Sequence, residues 1–213
     1  MKPTLLFDLD GTLSDSHVGI VRCFQYALEK AGEPVPMAED LRFVLGPPLS
    51  DSFRQLGIAE SRIDELIGLY RERYVPIGMK ENTLYQGIAE MLETLSREHR
   101  LYVATSKAVT YARQIVAVFG LSAHFAAVHG SELDGTRANK ADLIRWIVRE
   151  EGLNVGTCVM IGDRRHDIAG ARACAMNSVG VLWGYGSREE LETAGADTLV
   201  DSPEALTRLF SGG

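Results

Sequence analysis

Apolar positions along this chain follow two rhythms. Residues 4–8 form a short run that reads as a buried strand, stopped by the turn signal Asp10-Gly11. Beyond it the spacing becomes helical. Ile20, Cys23, Phe24, Ala27, Leu28 and Ala31 recur at three and four residues until Gly32 breaks the pattern. A short segment over Asp40 to Leu45 meets the break Gly46-Pro47-Pro48, after which Leu49, Phe53 and Leu56 predict another turn or two of helix before Gly57. Ser61, with Asp64 three residues on, is placed to cap a further helix whose apolar face is Ile63, Leu66, Ile67, Tyr70 and Tyr74. These helical pieces, with no strand between them, predict an all-helical unit over residues 15–81.

From Asn82 onward helices and strands alternate. Helix is predicted around Ile88 to Leu95, strand at Leu101 to Ala104, helix at Ala108 to Phe119, an extended stretch at Phe125 to Val128 and helix at Ala141 to Arg149. Strands Cys158 to Ile161, Val179 to Leu182 and Thr198 to Val200 follow, separated by helices over Ile168 to Cys174 and Glu189 to Ala194, and a last helix starts at Pro203. Strands separated by crossover helices imply an α/β fold with a mostly parallel sheet covered on both faces, and ligands bind at the carboxyl ends of such strands. The first strand is the candidate for the centre. The helical unit inserted after it is expected to act as a lid, leaving residues 1–14 and 82–213 as the core.

The 213 residues suit one domain with a small insertion. The chain is 46% hydrophobic and 24% charged, a globular composition, and no apolar run approaches the roughly 20 residues of a membrane-spanning helix. The first apolar run reaches Asp8 too soon for a signal peptide, so a cytoplasmic, unprocessed protein is expected. The net charge of -7 divides into -3 over residues 15–81 and -4 over the rest, and no basic block is available for a nucleic-acid backbone. Cys23, Cys158 and Cys174 are widely separated and read as reduced thiols.

Carboxylates gather at two predicted strand ends. In FDLDGTL, Asp8 and Asp10 are two extended steps apart, roughly 6.6 Å, enough to place a phosphoryl group between a nucleophile and an acid. Asp8 would attack phosphorus; Asp10 would protonate the leaving alcohol and then take a proton from water. Gly11 permits a turn that brings backbone N–H groups round an anion, although an ordinary Asp-Gly turn reads the same way. In MIGDRRHD, Asp163 follows the strand and Asp167 lies four residues on, so one helical face turns both toward the first pair; a helix N-cap and a first-turn acid is the structural alternative. Four convergent carboxylates repel by about 4 kcal/mol per pair at 4 Å and an effective dielectric of 20. They call for a cation, and hard oxygen ligands beside a phosphate point to Mg²⁺, held by Asp8, the Asp10 carbonyl and Asp163, with Asp167 either ligating directly or holding a metal-bound water. Thr105 and Ser106 end the second strand, where they can hold a phosphoryl oxygen or cap a helix. Lys140 precedes the predicted helix Ala141 to Arg149 and is the one cation assigned to the acidic site, within reach of the nucleophile and a phosphoryl oxygen; a solvated lysine is the alternative.

These motifs, in this order, resemble the haloacid dehalogenase (HAD) superfamily of aspartate-nucleophile phosphohydrolases over essentially the whole chain. DLDGT at Asp8 to Thr12 matches its first motif, Thr105 its second, Lys140 its third and GDRRHD, with Asp163 and Asp167, its fourth. The resemblance implies a Rossmann-like core with an inserted four-helix cap of the C1 type, phosphate contacts at Asp8, Leu9, Asp10, Thr105, Ser106 and Lys140, and Mg²⁺ as cofactor. Dehalogenases of the family lack an acid at the position of Asp10, so its presence favours phosphoryl transfer. Lys30 and Lys80 are the only lysines in 15–81, at a helix end and near a hinge, and neither suits Schiff-base chemistry.

Within the superfamily LGPPL (45–49), ENTLYQGI (81–88) and GSELDGTRANK (130–140) resemble the phosphoglycolate-phosphatase-like group, and especially its 5'-nucleotidase branch. The expected partner is a small phosphorylated metabolite, a nucleoside 5'-monophosphate ahead of phosphoglycolate or a broad range, for a monomer or homodimer. The rigid Gly46-Pro47-Pro48 edge would meet a nucleoside or merely pack its own unit. Arg42 and Arg54 are candidate partners for a substrate carboxylate or a base oxygen, or plain surface cations, and Arg164 and Arg165 are placed to steer phosphate or to pair with a nearby acid. A non-catalytic sensor keeping the same fold would be favoured by loss of Asp8 or Asp10, and both are present.

Overall fold

Leu5, Leu6 and Phe7 are fully buried because strand β1 (Thr4–Phe7) lies inside a sheet with both faces covered. The computed structural model describes residues 2–211. The chain divides into two compact units, Met1–Ser14 with Leu84–Gly213, and Asp15–Thr83. The short strands β2 (Ser14–Asp15) and β3 (Thr83–Leu84) pair with each other where the chain passes from one unit to the other and back.

The inserted unit is helical. Helix α1 (His17–Lys30) buries Ile20, Cys23, Phe24, Ala27 and Leu28. A 3-10 segment over 38–44 leads to α2 (Leu49–Gln55), which starts directly after Pro48, and α3 (Ile63–Tyr74) follows. Aromatic rings tie the three helices together: Phe24 lies 4.7 Å from Phe53 and 5.1 Å from Tyr70, centroid to centroid. Ser61 does not cap α3. It sits inside a 3-10 turn, Glu60–Arg62, and Arg62 takes the cap position without a side-chain hydrogen bond. Arg54 is bound by Asp51 and Glu60, both at 2.7 Å, and so is a paired surface cation, while Arg42 is exposed.

After β3, α4 (Ile88–Leu95) buries the predicted Ile88, Met91, Leu92 and Leu95. Then follow β4 (Leu101–Ala108), α5 (Val109–Val118), β5 (Ala127–Ser131), α6 (Lys140–Glu150), β6 (Cys158–Gly162), α7 (Arg165–Ala173), β7 (Asn177–Val181), α8 (Arg188–Ala194), β8 (Thr198–Val200) and α9 (Pro203–Ser211). The six long strands form one parallel sheet in the order β5-β4-β1-β6-β7-β8. The chain thus builds outward from β1 on one side through β4 and β5, then returns to β1's other flank with β6. That reversal puts the end of β1 at a topological switch point.

One face of the sheet, through Leu6, Tyr102, Ala104 and Met160, packs on Leu143, Ile144 and Ile147 of α6 and Ala171 of α7. Each of those helical side chains is fully buried, worth roughly 1.5–3 kcal/mol apiece for the larger ones. The packing fixes α6 and α7 against β1, β4 and β6, the elements that carry the acidic and basic motifs.

The predicted end of the second strand is corrected. β4 runs to Ala108 rather than Ala104, through a bulge, and Ala108 is the cap residue of α5. Thr105 and Ser106 therefore lie within the strand, at its bulge, and do not cap a helix.

Candidate active site

Register decides what meets at the sheet's carboxyl edge. Phe7 pairs with Val103 on one side and Ile161 on the other, so Asp8 emerges between β4 and β6, its N–H donating to the Ile161 carbonyl at 2.9 Å. The Asp8 carboxylate accepts hydrogen bonds from the Leu9 N–H (2.7 Å) and the Thr105 hydroxyl. Lys140 approaches the same carboxylate at 3.1 Å. Burial pushes the Asp8 carboxyl up to about 6; Asp167 adds to the rise, and Lys140, the Leu9 N–H and Thr105 oppose it.

Lys140 is the first residue of α6, set in place by Asn139, whose side chain accepts from the N–H groups of Ala141 and Asp142. Its stem crosses α7 at Gly170, where a Cβ would stand 2.8 Å from Lys140 Cγ. From there the buried ammonium reaches the Ala104 carbonyl at 2.8 Å, Asp167 Oδ1 at 2.7 Å and Asp8. Burial works against the charge, but Asp167 and Asp8 outweigh it and hold the lysine above its usual range.

Asp163 follows β6 and is completely buried. Its Oδ1 accepts from the Thr12 hydroxyl at 2.9 Å and its Oδ2 from the Tyr185 N–H at 2.8 Å. Three glycines make room for it: a Cβ on Gly11, Gly184 or Gly186 would come within 2.3 Å of an Asp163 atom. Burial, with Asp167 and Asp8 adding, raises the Asp163 carboxyl well above the ordinary carboxylate range. Asp167, in the first turn of α7, accepts from the Arg164 N–H at 3.1 Å, so it serves as first-turn acid and site residue at once. The intervening loop is braced by Glu190 of α8, which accepts from Arg164 Nε and the Arg165 N–H, both at 2.9 Å.

Asp8, Asp163 and Asp167 each offer a carboxylate oxygen, and these oxygens lie within 4.8 Å of one another. Among the described residues no ion pair reaches Asp163, while Lys140 meets only the other two. Three hard, buried oxygen donors with one lysine among them fit a hard divalent cation such as Mg²⁺.

Two expectations need correction here. The Asp10 carboxylate does not join the cluster; it pairs with Lys107 at 2.8 Å. Lys140 is therefore not the only cation beside the acids, and Lys107 is the second. Arg164 pairs with Glu190 at 2.9 Å, which accounts for its charge without a phosphate.

Residues 5–181 match the haloacid dehalogenase-like hydrolase family. The chain belongs to that family. A 5'-nucleotidase of Pseudomonas aeruginosa is 47% identical to this hydrolase over 191 residues, 89% of this chain and 86% of that protein. The tyrosine-protein kinase PtkA of Mycobacterium tuberculosis is 40% identical over 88% of this chain, which spans 65% of that protein's length. The crystal structure of a predicted phosphatase from Clostridium acetobutylicum superposes with a TM-score of 0.96 at 37% identity, covering all of both chains. The enzyme is a hydrolase of the phosphatase type.

In the hydrolase, the predicted Asp8, Leu9, Thr105, Lys140, Asp163 and Asp167 come together around the end of β1. Ser106 contributes its carbonyl, which accepts from the Ser131 hydroxyl at 2.9 Å. The sequence reading missed Lys107, Thr12, the Tyr185 N–H and the glycines that admit Asp163. Thr12 closes the DLDGT motif and Lys107 directly follows Thr105-Ser106, and only their partners were hidden. Among the described residues no helix is long and apolar enough to cross a membrane.

Proposed function

We propose that this hydrolase is an Mg²⁺-dependent phosphomonoesterase acting through an aspartyl-phosphate on Asp8, with nucleoside 5'-monophosphates as its substrates. The observation that carries the chemistry is Asp8 itself, a buried carboxylate at the end of the inner strand with its Oδ1 fixed by the Leu9 N–H and Lys140. In the first step an Asp8 oxygen bonds to phosphorus as the bond to the leaving oxygen breaks, and Asp10 gives that oxygen its proton. In the second, water attacks the same phosphorus, Asp10 takes the water's proton, and the bond to Asp8 breaks to release inorganic phosphate. The Thr105 hydroxyl, the Leu9 N–H and Lys140 hold phosphoryl oxygens in line. Asp8, Asp163, Asp167 and the Asp10 carbonyl would hold Mg²⁺, which when bound neutralises phosphoryl charge as it develops.

Residues 1–14 and 82–213 are taken as the catalytic core and residues 15–81 as a four-helix cap of the C1 type, a reading supported by the helical content of that unit. The preference for nucleotides rests on the 47% identity to the Pseudomonas 5'-nucleotidase; phosphoglycolate phosphatases also stand among the relatives, at 29% identity for that of Agrobacterium fabrum. Phosphate release from nucleoside 5'- and 3'-monophosphates, phosphoglycolate, sugar phosphates and phosphoserine at matched concentrations tests it. The 5'-monophosphates should lead in kcat/KM. Phosphoglycolate ahead by about a hundredfold would overturn the nucleotide reading.

A further inference from the structure

We propose that Lys107 is a positioning residue for proton transfer, holding the Asp10 carboxylate toward the leaving oxygen. The inference rests on the role given to Asp10 above, and it starts from an irregularity in the sheet. β4 pairs with β5 in steady parallel register up to Thr105 and Gly130, and the next matched pair is Ala108 with Ser131. Ser106 and Lys107 are therefore extra residues in a bulge, a device that re-aims side chains at the edges of active sites.

Three contacts build that bulge. The Lys107 N–H donates to Thr105 Oγ1 at 3.3 Å, the Ser131 hydroxyl donates to the Ser106 carbonyl at 2.9 Å, and Gly130 leaves space for the Lys107 carbonyl, from which a Cβ would be only 2.4 Å away. From the bulge the Lys107 ammonium reaches Asp10 Oδ2 at 2.8 Å, with the two side chains only 9% and 12% exposed. A nearly buried ion pair repays its desolvation only with good geometry, and here that geometry fixes one carboxylate.

The two buried lysines thus divide the site between them. Lys140 lies against Asp8 and Asp167, and Lys107 lies against Asp10. A carboxylate that must deliver a proton to one oxygen and later collect one from water has to keep a fixed direction, since both transfers need hydrogen-bond reach. The ammonium of Lys107 supplies that restraint from the side of β4.

The test compares two substrates of similar shape, p-nitrophenyl phosphate, whose leaving group departs without a proton, and p-nitrobenzyl phosphate, whose alkoxide requires one. Their kcat/KM values, at saturating Mg²⁺, report the step in which the leaving group departs. Lys107→Met should lower kcat/KM for p-nitrobenzyl phosphate at least about tenfold more than for p-nitrophenyl phosphate, and Lys107→Arg should recover most of the loss. Should Lys107→Met fail to fold, Lys107→Gln carries the same comparison. Asp10→Asn is measured alongside. Equal losses for the two substrates in Asp10→Asn would overturn the acid role of Asp10 itself. A selective loss in Asp10→Asn, with equal losses or none in the Lys107 variants, would overturn the proposal for Lys107 alone.

Discussion

A Cβ placed on Gly11 would stand 2.2 Å from Oδ2 of Asp163, 152 residues further along the chain. The glycine that turns the backbone after β1, at a φ of 84°, is also the surface against which the acid after β6 rests. Gly11→Ala should therefore do two things: cost about 1–2 kcal/mol for the left-handed backbone, and push Asp163 from its place. Because partners that orient a metal ligand are worth about 10–100-fold in affinity, Mg²⁺ binding followed by calorimetry should weaken by at least tenfold. Unchanged affinity in a folded Gly11→Ala protein would show that Asp163 is not a ligand.

Lys140 is buried against two carboxylates and a carbonyl. Removing one partner of such a group leaves uncompensated buried charge, so Lys140→Met should destabilise the metal-free protein by about 3–5 kcal/mol. Added Mg²⁺ should raise the melting temperature of the variant more than that of the wild type, because the ion would replace the missing charge. An equal Mg²⁺ shift in both proteins would count against a shared site.

Acid and base limits follow from Asp8. Its carboxyl lies near 6 in the folded chain and at 3.8 when unperturbed, so between those values the unfolded chain is ionised while the folded one keeps its proton. The resulting stability is fully present below 3.8 and lost as the pH rises through about 6; Asp163, also raised, acts in the same direction. In chelated protein, the melting temperature of wild type relative to Asp8→Asn should fall by several degrees on going from about pH 4 to about pH 6.5. A difference that stays flat across that window would contradict the environment described for Asp8, in which burial outweighs the pull of Lys140.

The parts of this structure that were legible in the sequence share one property: each is local. Asp8, Thr105 and Asp163 each follow an apolar run long enough to read as a strand, and alternation of strand and helix implied that their ends meet. The hidden parts depend on distant partners. The bulge that carries Lys107 needs Gly130 and Ser131, more than twenty residues downstream, and the pocket for Asp163 needs Gly184 and the Tyr185 N–H from the loop after β7. The three polar residues Thr105-Ser106-Lys107 look like the end of a strand because nothing nearby reveals that pairing resumes at Ala108. Ser61 failed as a cap for a similar reason: the backbone had already tightened into a 3-10 turn over Glu60–Arg62, which moved the start of α3 past it.

Everything proposed for catalysis passes through one atom pair, an Asp8 oxygen and the substrate phosphorus. Asp8→Asn keeps the size and much of the hydrogen bonding of the side chain while removing its charge and nucleophilicity. The decisive measurement is phosphate release by purified, folded Asp8→Asn in saturating Mg²⁺, with p-nitrophenyl phosphate and with the best substrate of the release panel. Turnover should drop to the background of the assay, a loss of at least about 10⁴-fold where sensitivity allows. Turnover within tenfold of wild type would contradict Asp8 as the nucleophile and with it the aspartyl-phosphate pathway.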